Sequence, residues 1–222
     1  MGALMGCKGN GLNTFSQQVN VNFFIYLCVR LKLLIILVVN AMLLKAQSGL
    51  SVLEKVHTHR NQSFDQLFIG LSGSVYPITF LTPVSCLAWG YYHPDKEWLN
   101  KGIVSGIGIA LAGTGALALK YGIKRERPYV QHSQINPLVQ TGPFSMPSGH
   151  ATASFATATS ITLMIPKWYV ALPAYVWAGA VAYSRMHLGV HYPGDILAGA
   201  LLGSACSAAS FYINKKLRTQ LK

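Results

Sequence analysis

The stretch Ser184–Asp195, SRMHLGVHYPGD, joins two apolar segments and carries the most informative residues of the chain. His191 and Asp195 are four positions apart within it. In a helical turn this spacing lets the carboxylate accept a hydrogen bond from one imidazole nitrogen and leaves the other nitrogen as a nucleophile. Asp195 is also the only Asp or Glu after Glu126. A lone carboxylate at the boundary of an apolar segment indicates a functional site.

The composition favours a membrane protein with one compact domain. Of the 222 residues, 51% are hydrophobic and only 11% are charged, with a mean hydropathy of +0.36, which is too apolar for an ordinary soluble domain. The net charge is +12, but Lys and Arg occur in short clusters between apolar segments. This pattern indicates membrane topology and anionic lipid headgroups, and it argues against a nucleic-acid partner. The four cysteines are widely spaced and predict no disulfide framework.

Apolar segments predict an all-α integral membrane helical bundle with five or six transmembrane helices. Glycines in the second segment, and Ala, Ser and Thr in the third, predict close helix packing. Pro77 and Pro83 predict a kink in the first segment. The five predicted spans are Leu67–Tyr92, Gly102–Leu119, His150–Ile165, Tyr169–Ser184 and Ile196–Ile213.

The amino-terminal segment allows two interpretations. Arg30 and Lys32 precede an apolar run of about 12 residues, which is short for a span and is followed by a small residue, as in a secretory signal peptide. The alternative is a first transmembrane helix over Asn22–Leu44, which would carry both cations in its middle. We therefore divide the chain into residues 1–46, a signal peptide or first transmembrane helix, and residues 47–222, a single membrane domain.

A basic segment, KYGIKRERP, follows the second span from Lys120 to Pro128. Its cations can hold a phosphate through charge-assisted hydrogen bonds, partly bidentate ones from Arg127. Cations just outside a span more commonly contact lipid headgroups or fix topology, so this segment alone does not decide the function.

The motif Pro-Ser-Gly-His opens the third span at Pro147–His150. Ser148 can cap the helix, and the backbone amides at a helix start beside Gly149 can bind an anion. The alternative is a simple helix cap with an incidental interfacial histidine.

The scarcity of carboxylates bears on metal chemistry. It excludes mechanisms that need two carboxylates and weakens a magnesium or two-metal site. The rival is zinc, because His187 and His191 are four apart and His150 or Asp195 could complete a ligand set. Zinc would leave the motif cations without a role and place them beside another cation. We therefore predict no metal, and we interpret His187 as a structural or headgroup-facing residue.

Loop charges predict the orientation. Outside the motif positions, seven Lys and Arg residues flank the spans on the side of the carboxyl-terminal tail, and four flank them on the motif side. The positive-inside rule places the tail in the cytoplasm and the motifs on the outer face.

Together, Lys-x6-Arg-Pro, Pro-Ser-Gly-His and Ser-Arg-x5-His-x3-Asp occur in an order that resembles the type 2 phosphatidic acid phosphatase family over about Leu67–Ile213. The chain resembles in particular small bacterial members that act on envelope lipids. The resemblance implies a metal-free phosphatase in which His191 attacks phosphorus, Asp195 orients it, and His150 protonates the leaving alcohol and later activates water. The implied phosphate-binding groups are Lys120, Arg127, Ser148, Gly149 and Arg185.

The expected function is hydrolysis of a phosphate monoester or diphosphate on a membrane lipid, in a bacterial inner membrane with the site facing the periplasm. Undecaprenyl diphosphate, phosphatidylglycerol phosphate and the phosphates of lipid A are the substrates that the resemblance implies. We expect the loop Tyr129–Met146 to set the choice among headgroups. The alternatives are a zinc-dependent membrane hydrolase, a non-enzymatic anionic-lipid carrier or channel, and a soluble acid phosphatase or haloperoxidase with the same motifs, against which the apolar spans argue.

Overall fold

A computed structural model of the protein describes residues 49–220, and this part is all-helical. The predicted all-α fold class is confirmed. The interpretation of residues 1–46 lies outside the described residues. The helices are α1 Leu50–Thr58, a short 3-10 helix Gln62–Phe64, α2 Asp65–Gly73, α3 Val75–Tyr92, α4 Lys96–Ile123, α5 Pro128–Gln131, α6 Gly149–Met164, α7 Trp168–His187 and α8 Pro193–Gln220.

Helix α6 forms the centre of the bundle and contacts α3, α4, α7 and α8. Its buried face consists of small residues, among them Ala151, Ser154 and Ala156. Such side chains let neighbouring backbones approach, which provides much of the helix association in lipid. The small composition of the third predicted span therefore corresponds to its central position.

The tightest packing involves α8 rather than α4. A Cβ added at Gly199 would lie 2.6 Å from the Ser148 carbonyl oxygen, and one added at Gly203 would overlap the Thr152 carbonyl oxygen. Within α4, a Cβ at Gly108 would lie 3.0 Å from Ser207, whereas Gly113 faces open space. The glycines of the second predicted span thus explain only part of the packing, and the two decisive glycines in α8 were not predicted.

Large apolar side chains point outward from the bundle. Ile103, Leu111, Leu197 and Leu201 are each more than half exposed. Small residues inside and large apolar residues outside are the arrangement of a protein surrounded by lipid. In the described part of the chain, three helical segments are long and apolar enough to cross a membrane: Gln62–Tyr92, Lys96–Gln131 and Pro193–Gln220. Helix α6, with 16 residues, is shorter, as expected for the enclosed centre of the bundle.

Local sequence determines where two of the helices begin and break. Helix α4 starts ahead of the predicted Gly102, because the Asp95 carboxylate accepts hydrogen bonds from the first-turn amides at 2.8 and 3.3 Å and caps the helix there. The first predicted span divides at Ser74 into α2 and α3. Pro77 has no N–H to donate to the Gly73 carbonyl, which accounts for the break at this point.

The ends of four helices carry the motifs. The carboxyl ends of α4 and α7 and the amino ends of α6 and α8 meet at one end of the bundle, here called the motif end. The opposite end, here called the far end, holds the starts of α4 and α7 and the ends of α6 and α8.

Candidate active site

A cavity of about 600 Å³ opens at the motif end. Ser148 and Asp195 are fully buried beside it and are not on its wall. The structure therefore brings the three motifs to one place, six residues at the surface of the cavity and two behind it. The six predicted site residues that line it are Lys120, Arg127, Gly149, His150, Arg185 and His191.

The start of α8 aligns His191 with Asp195. His191 Nδ1 lies 3.5 Å from Asp195 Oδ2, at the outer limit of hydrogen-bond distance. The two residues do not share a helical turn, because α8 begins at Pro193 and proline favours the first helical position. Asp195 is the third residue of the helix, and its Oδ2 accepts the Tyr192 N–H at 2.9 Å. This contact is the backward half of a capping box, and it orients the carboxylate toward the imidazole.

The His191 imidazole is buried and neutral. Burial, together with the nearby Arg127 and Arg185 charges, lowers its pKa from 6.5 to about 4, although Asp195 opposes the shift. His191 Nε2 lies 3.4 Å from Arg127 Nη1. With its proton on Nδ1, facing Asp195, the ring directs its Nε2 lone pair toward Arg127 Nη1 at the wall of the cavity.

Backbone carbonyls hold two of the cations in place. Arg127 donates from Nε to the Gly142 carbonyl at 2.6 Å and from Nη1 to the Val190 carbonyl at 2.8 Å. Lys120 Nζ donates to the Phe144 carbonyl at 2.9 Å. Within residues 49–220 neither cation has a carboxylate at salt-bridge distance. The carbonyl oxygens therefore orient both side chains without neutralising their charge, which stays available to an anion in the cavity.

Arg185 and His150 approach from α7 and α6. Arg185 is buried and donates from Nη1 to the Ser72 hydroxyl on α2. The His150 ring is 5.1 Å from the Tyr76 ring in an edge-on arrangement. Ser72 and Tyr76 also line the cavity. Neither residue can be identified from the sequence, because the role of each depends on how α2 and α3 pack against the motif helices.

Arg125 is the main residue that sequence reasoning missed. Its Nη1 donates to Asp195 Oδ1 at 2.7 Å, and its guanidinium lies 4.0 Å from the centre of the Tyr192 ring. From the sequence, the segment containing Arg125 is interpreted as a phosphate-binding cluster or as cations that contact lipid headgroups or fix topology. A lone buried carboxylate requires a cationic partner, and this requirement could have indicated a pair between the basic segment and Asp195.

Ser148 fixes the start of α6 against the start of α8. Its N–H donates to the Asp195 carbonyl oxygen at 2.9 Å, and its side chain caps α6 by accepting the Ala151 N–H at 3.5 Å. This position leaves Gly149, the first residue of α6, to face the cavity with the amide end of the helix. A helix start in this position can bind an anion.

His187 belongs to a different cluster. Its Nε2 lies 2.7 Å from Asp65 Oδ1, which also forms an ion pair with Arg60 Nε at 3.4 Å, and its carbonyl contacts the His57 ring at 2.9 Å. Among the residues that the structure describes, no group of three or more His, Cys, Asp and Glu side chains is arranged to hold a metal ion. The zinc alternative therefore lacks a ligand set in this part of the chain, and His187 has a structural contact.

The described helices form a bundle, and a histidine paired with a buried carboxylate lines its cationic cavity. Residues 102–219 match the model of the PAP2 superfamily. The chain belongs to this superfamily, and it is a multi-pass membrane protein.

Curated relatives share part of their length with the chain. It is 37% identical over 131 residues to an undecaprenyl-diphosphatase of Sulfolobus acidocaldarius, covering 52% of this chain and 62% of the relative. It is 36% identical over 81 residues to a lipid A 4'-phosphatase of Bacteroides thetaiotaomicron, covering 36% of each. The chain thus spans less than two thirds of the length of these relatives.

Two crystal structures share the fold. LpxE of Aquifex aeolicus superposes with a TM-score of 0.63 at 21% identity, covering 74% of this chain and 94% of that one. A transmembrane PAP2-type phosphatidylglycerolphosphate phosphatase of Bacillus subtilis superposes with a TM-score of 0.65 at 21% identity, covering 82% and 96%. At this identity the likeness is one of fold.

Proposed function

We propose that the chain is a metal-independent lipid phosphatase that hydrolyses a phosphate monoester or diphosphate through a phosphohistidine intermediate. The observation that carries this proposal is the buried, neutral His191 imidazole, with Nδ1 toward Asp195 and Nε2 toward Arg127 in a cationic cavity. A neutral imidazole oriented by a carboxylate is a competent nucleophile. The residues that form this domain would be 47–222.

The reaction proceeds in two displacements. His191 Nε2 attacks phosphorus and forms a P–N bond while the P–O bond to the lipid breaks, and protonated His150 gives its proton to the departing oxygen. An anionic phosphate beside His150 favours its protonated form. In the second step His150 accepts a proton from water, the water oxygen attacks phosphorus, and the P–N bond breaks to release inorganic phosphate and His191. Asp195 stabilises the positive charge that the His191 ring carries in between.

The cations stabilise the charge on the transferred phosphoryl group. Lys120, Arg127 and Arg185 surround the cavity with the Gly149 amide, and such preorganised donors act where the transition state gathers charge. Ser148 lies behind the wall, so its proposed contribution is to hold the Gly149 amide in position.

The cavity and the relatives support a proposal for the substrate class. The wall includes apolar Ile69 and Leu117 beside the cations, which suits a lipid with a phosphorylated headgroup. The relatives are named for undecaprenyl diphosphate and lipid A, and we place the substrate of this chain among phosphorylated envelope lipids. The loop segment 139–142 lines the cavity and would contact the headgroup. We further propose a bacterial inner membrane location with the motif end facing the periplasm.

Purified full-length protein in mild detergent tests the proposal with a panel of undecaprenyl diphosphate, phosphatidylglycerol phosphate and lipid A. We expect phosphate release from at least one lipid, unaffected by EDTA. His191→Ala and His150→Ala should abolish release, whereas His93→Ala, an exposed histidine at the far end, should leave it unchanged.

Full activity in the His191 variant would contradict the mechanism. Loss with EDTA and rescue by Zn²⁺ would favour the zinc hydrolase. Lipid binding without phosphate release from any member of the panel would favour the carrier.

A further inference from the structure

A second and larger cavity, of about 870 Å³, lies at the far end of the bundle. It opens between the first turns of α4 and the last turns of α8, beside the end of α6. Its wall combines cations with apolar side chains: Lys101, Lys215 and Arg218 with Leu163, Ala208 and Phe211. None of these residues takes part in the proposed reaction.

The length of α8 places this cavity at the opposite membrane surface from the candidate active site. Asp195 at the motif end and Lys215 at the far end are both on the unbroken helix Pro193–Gln220. At a rise of about 1.5 Å per residue they are about 30 Å apart along the helix, which is about the thickness of the hydrocarbon core. Exposed Trp168 and Tyr169 start α7 at the same end, as expected at a membrane interface.

The charge of the cavity is incompletely compensated by protein. Glu97 is the one carboxylate among the described residues of its wall, and it binds Lys101 Nζ at 2.8 Å. For Lys215 and Arg218, no carboxylate lies at salt-bridge distance among residues 49–220. The cavity therefore presents about two net positive charges next to an apolar wall.

We propose that this cavity binds an anionic phospholipid of the membrane leaflet at the far end. Lys215 and Arg218 complement the phosphodiester, and the side-chain amides of Asn100 and Asn214 lie on the same wall to donate to its oxygens. The apolar part of the wall receives the first segment of an acyl chain. The described lining contains no histidine, so the lipid is a bound ligand and not a second substrate.

Such a lipid would connect α4 to α8. It binds across helices that pack directly against each other, so it stabilises the folded protein and not the unfolded chain. The proposal concerns a site remote from catalysis, and its failure would leave the proposed phosphatase activity unaffected.

Lipid binding to the purified full chain tests the site. Native mass spectrometry in mild detergent would compare phosphatidylglycerol, phosphatidylcholine of the same chain length, and soluble glycerol phosphate. We expect phosphatidylglycerol to bind and to raise the midpoint temperature of unfolding. The other two should bind at least roughly tenfold more weakly. Equal binding of phosphatidylcholine would overturn the requirement for an anionic lipid, and equal binding of glycerol phosphate would overturn the requirement for an acyl chain.

Two double variants separate the cavity from general surface attraction. Lys215→Gln/Arg218→Gln should weaken phosphatidylglycerol binding roughly tenfold or more while phosphate release in detergent stays at the wild-type level. The matched control, Lys167→Gln/Lys216→Gln, removes two exposed cations of the same end that do not line the cavity, and it should bind lipid as the wild type does. Equal losses in both variants would overturn the proposal. Ala208→Trp should also reduce binding by filling the cavity without a change of charge, and unchanged binding in this variant would contradict the acyl-chain contact.

Discussion

The contact between α8 and the start of α6 predicts a large effect from a single methyl group at Gly203. A Cβ there would overlap the Thr152 carbonyl oxygen and lie 2.9 Å from the Ala156 nitrogen. Both atoms belong to the α6 backbone, so no flexible side chain can move aside. Overpacking lowers the free energy of unfolding by about 1–3 kcal/mol. Replacing a helical glycine by alanine raises it by about 0.5–1 kcal/mol. Because the obstacle is backbone, we expect Gly203→Ala to lose about 2 kcal/mol of unfolding free energy.

Gly113→Ala is the matched control for this substitution. Gly113 lies in the interior of α4, is exposed, and has no heavy atom within 4 Å of an added Cβ. Its variant should therefore be as stable as the wild type or gain about 0.5–1 kcal/mol. Unfolding in mixed detergent micelles would measure both. Phosphate release should fall only in the Gly203 variant, since Thr152 is in the turn that carries His150. Wild-type stability of Gly203→Ala would refute the packing described for α6 and α8.

Two further predictions concern the chemistry of the site. Arg125→Ala removes a charge-assisted hydrogen bond to Asp195 worth about 1.5–3 kcal/mol, so kcat should fall roughly 10- to 100-fold with KM little changed. A raised KM with normal kcat would instead show that Arg125 contacts substrate, and exposed Lys124→Asn serves as the control. Burial lowers the pKa of His191 from 6.5 to about 4. In a plot of kcat/KM against pH, the fall in activity caused by protonation of His191 should therefore lie near pH 4. A fall near pH 6.5 that is assigned to His191 would contradict this. In the unfolded chain His191 binds a proton near pH 6.5, whereas in the folded protein it does so only near pH 4. The free energy of unfolding should therefore decrease as the pH falls from about 6.5 to about 4. This pH dependence should be absent from His191→Asn.

The existence and order of the helices follow from the sequence, because apolar composition over long windows is a local property. The positions of the motifs follow for the same reason, since each one lies beside the end of such a window. His191 and Asp195 could be paired from their spacing, although the pair depends on the helix start at Pro193 and not on a shared turn.

Contacts between distant segments could not be predicted in this way. Arg125 reaches Asp195 across 70 positions, and His187 reaches Asp65 across 122. The close approach of Gly199 and Gly203 to α6 depends on the register of two helices, which composition does not determine. Ser148 shows the same limit, because its capping role was predictable while its place behind the cavity wall depends on the neighbouring start of α8.

Trapping the phosphorylated protein tests the central claim most directly. Wild-type protein mixed with a phosphate-labelled lipid substrate would be quenched within one turnover, and the labelled peptide would be identified by mass spectrometry. We predict an acid-labile, base-stable label on His191 that is absent from the His191→Ala variant. A label on another residue, or a label that persists in His191→Ala, would contradict the assignment of His191 as the nucleophile.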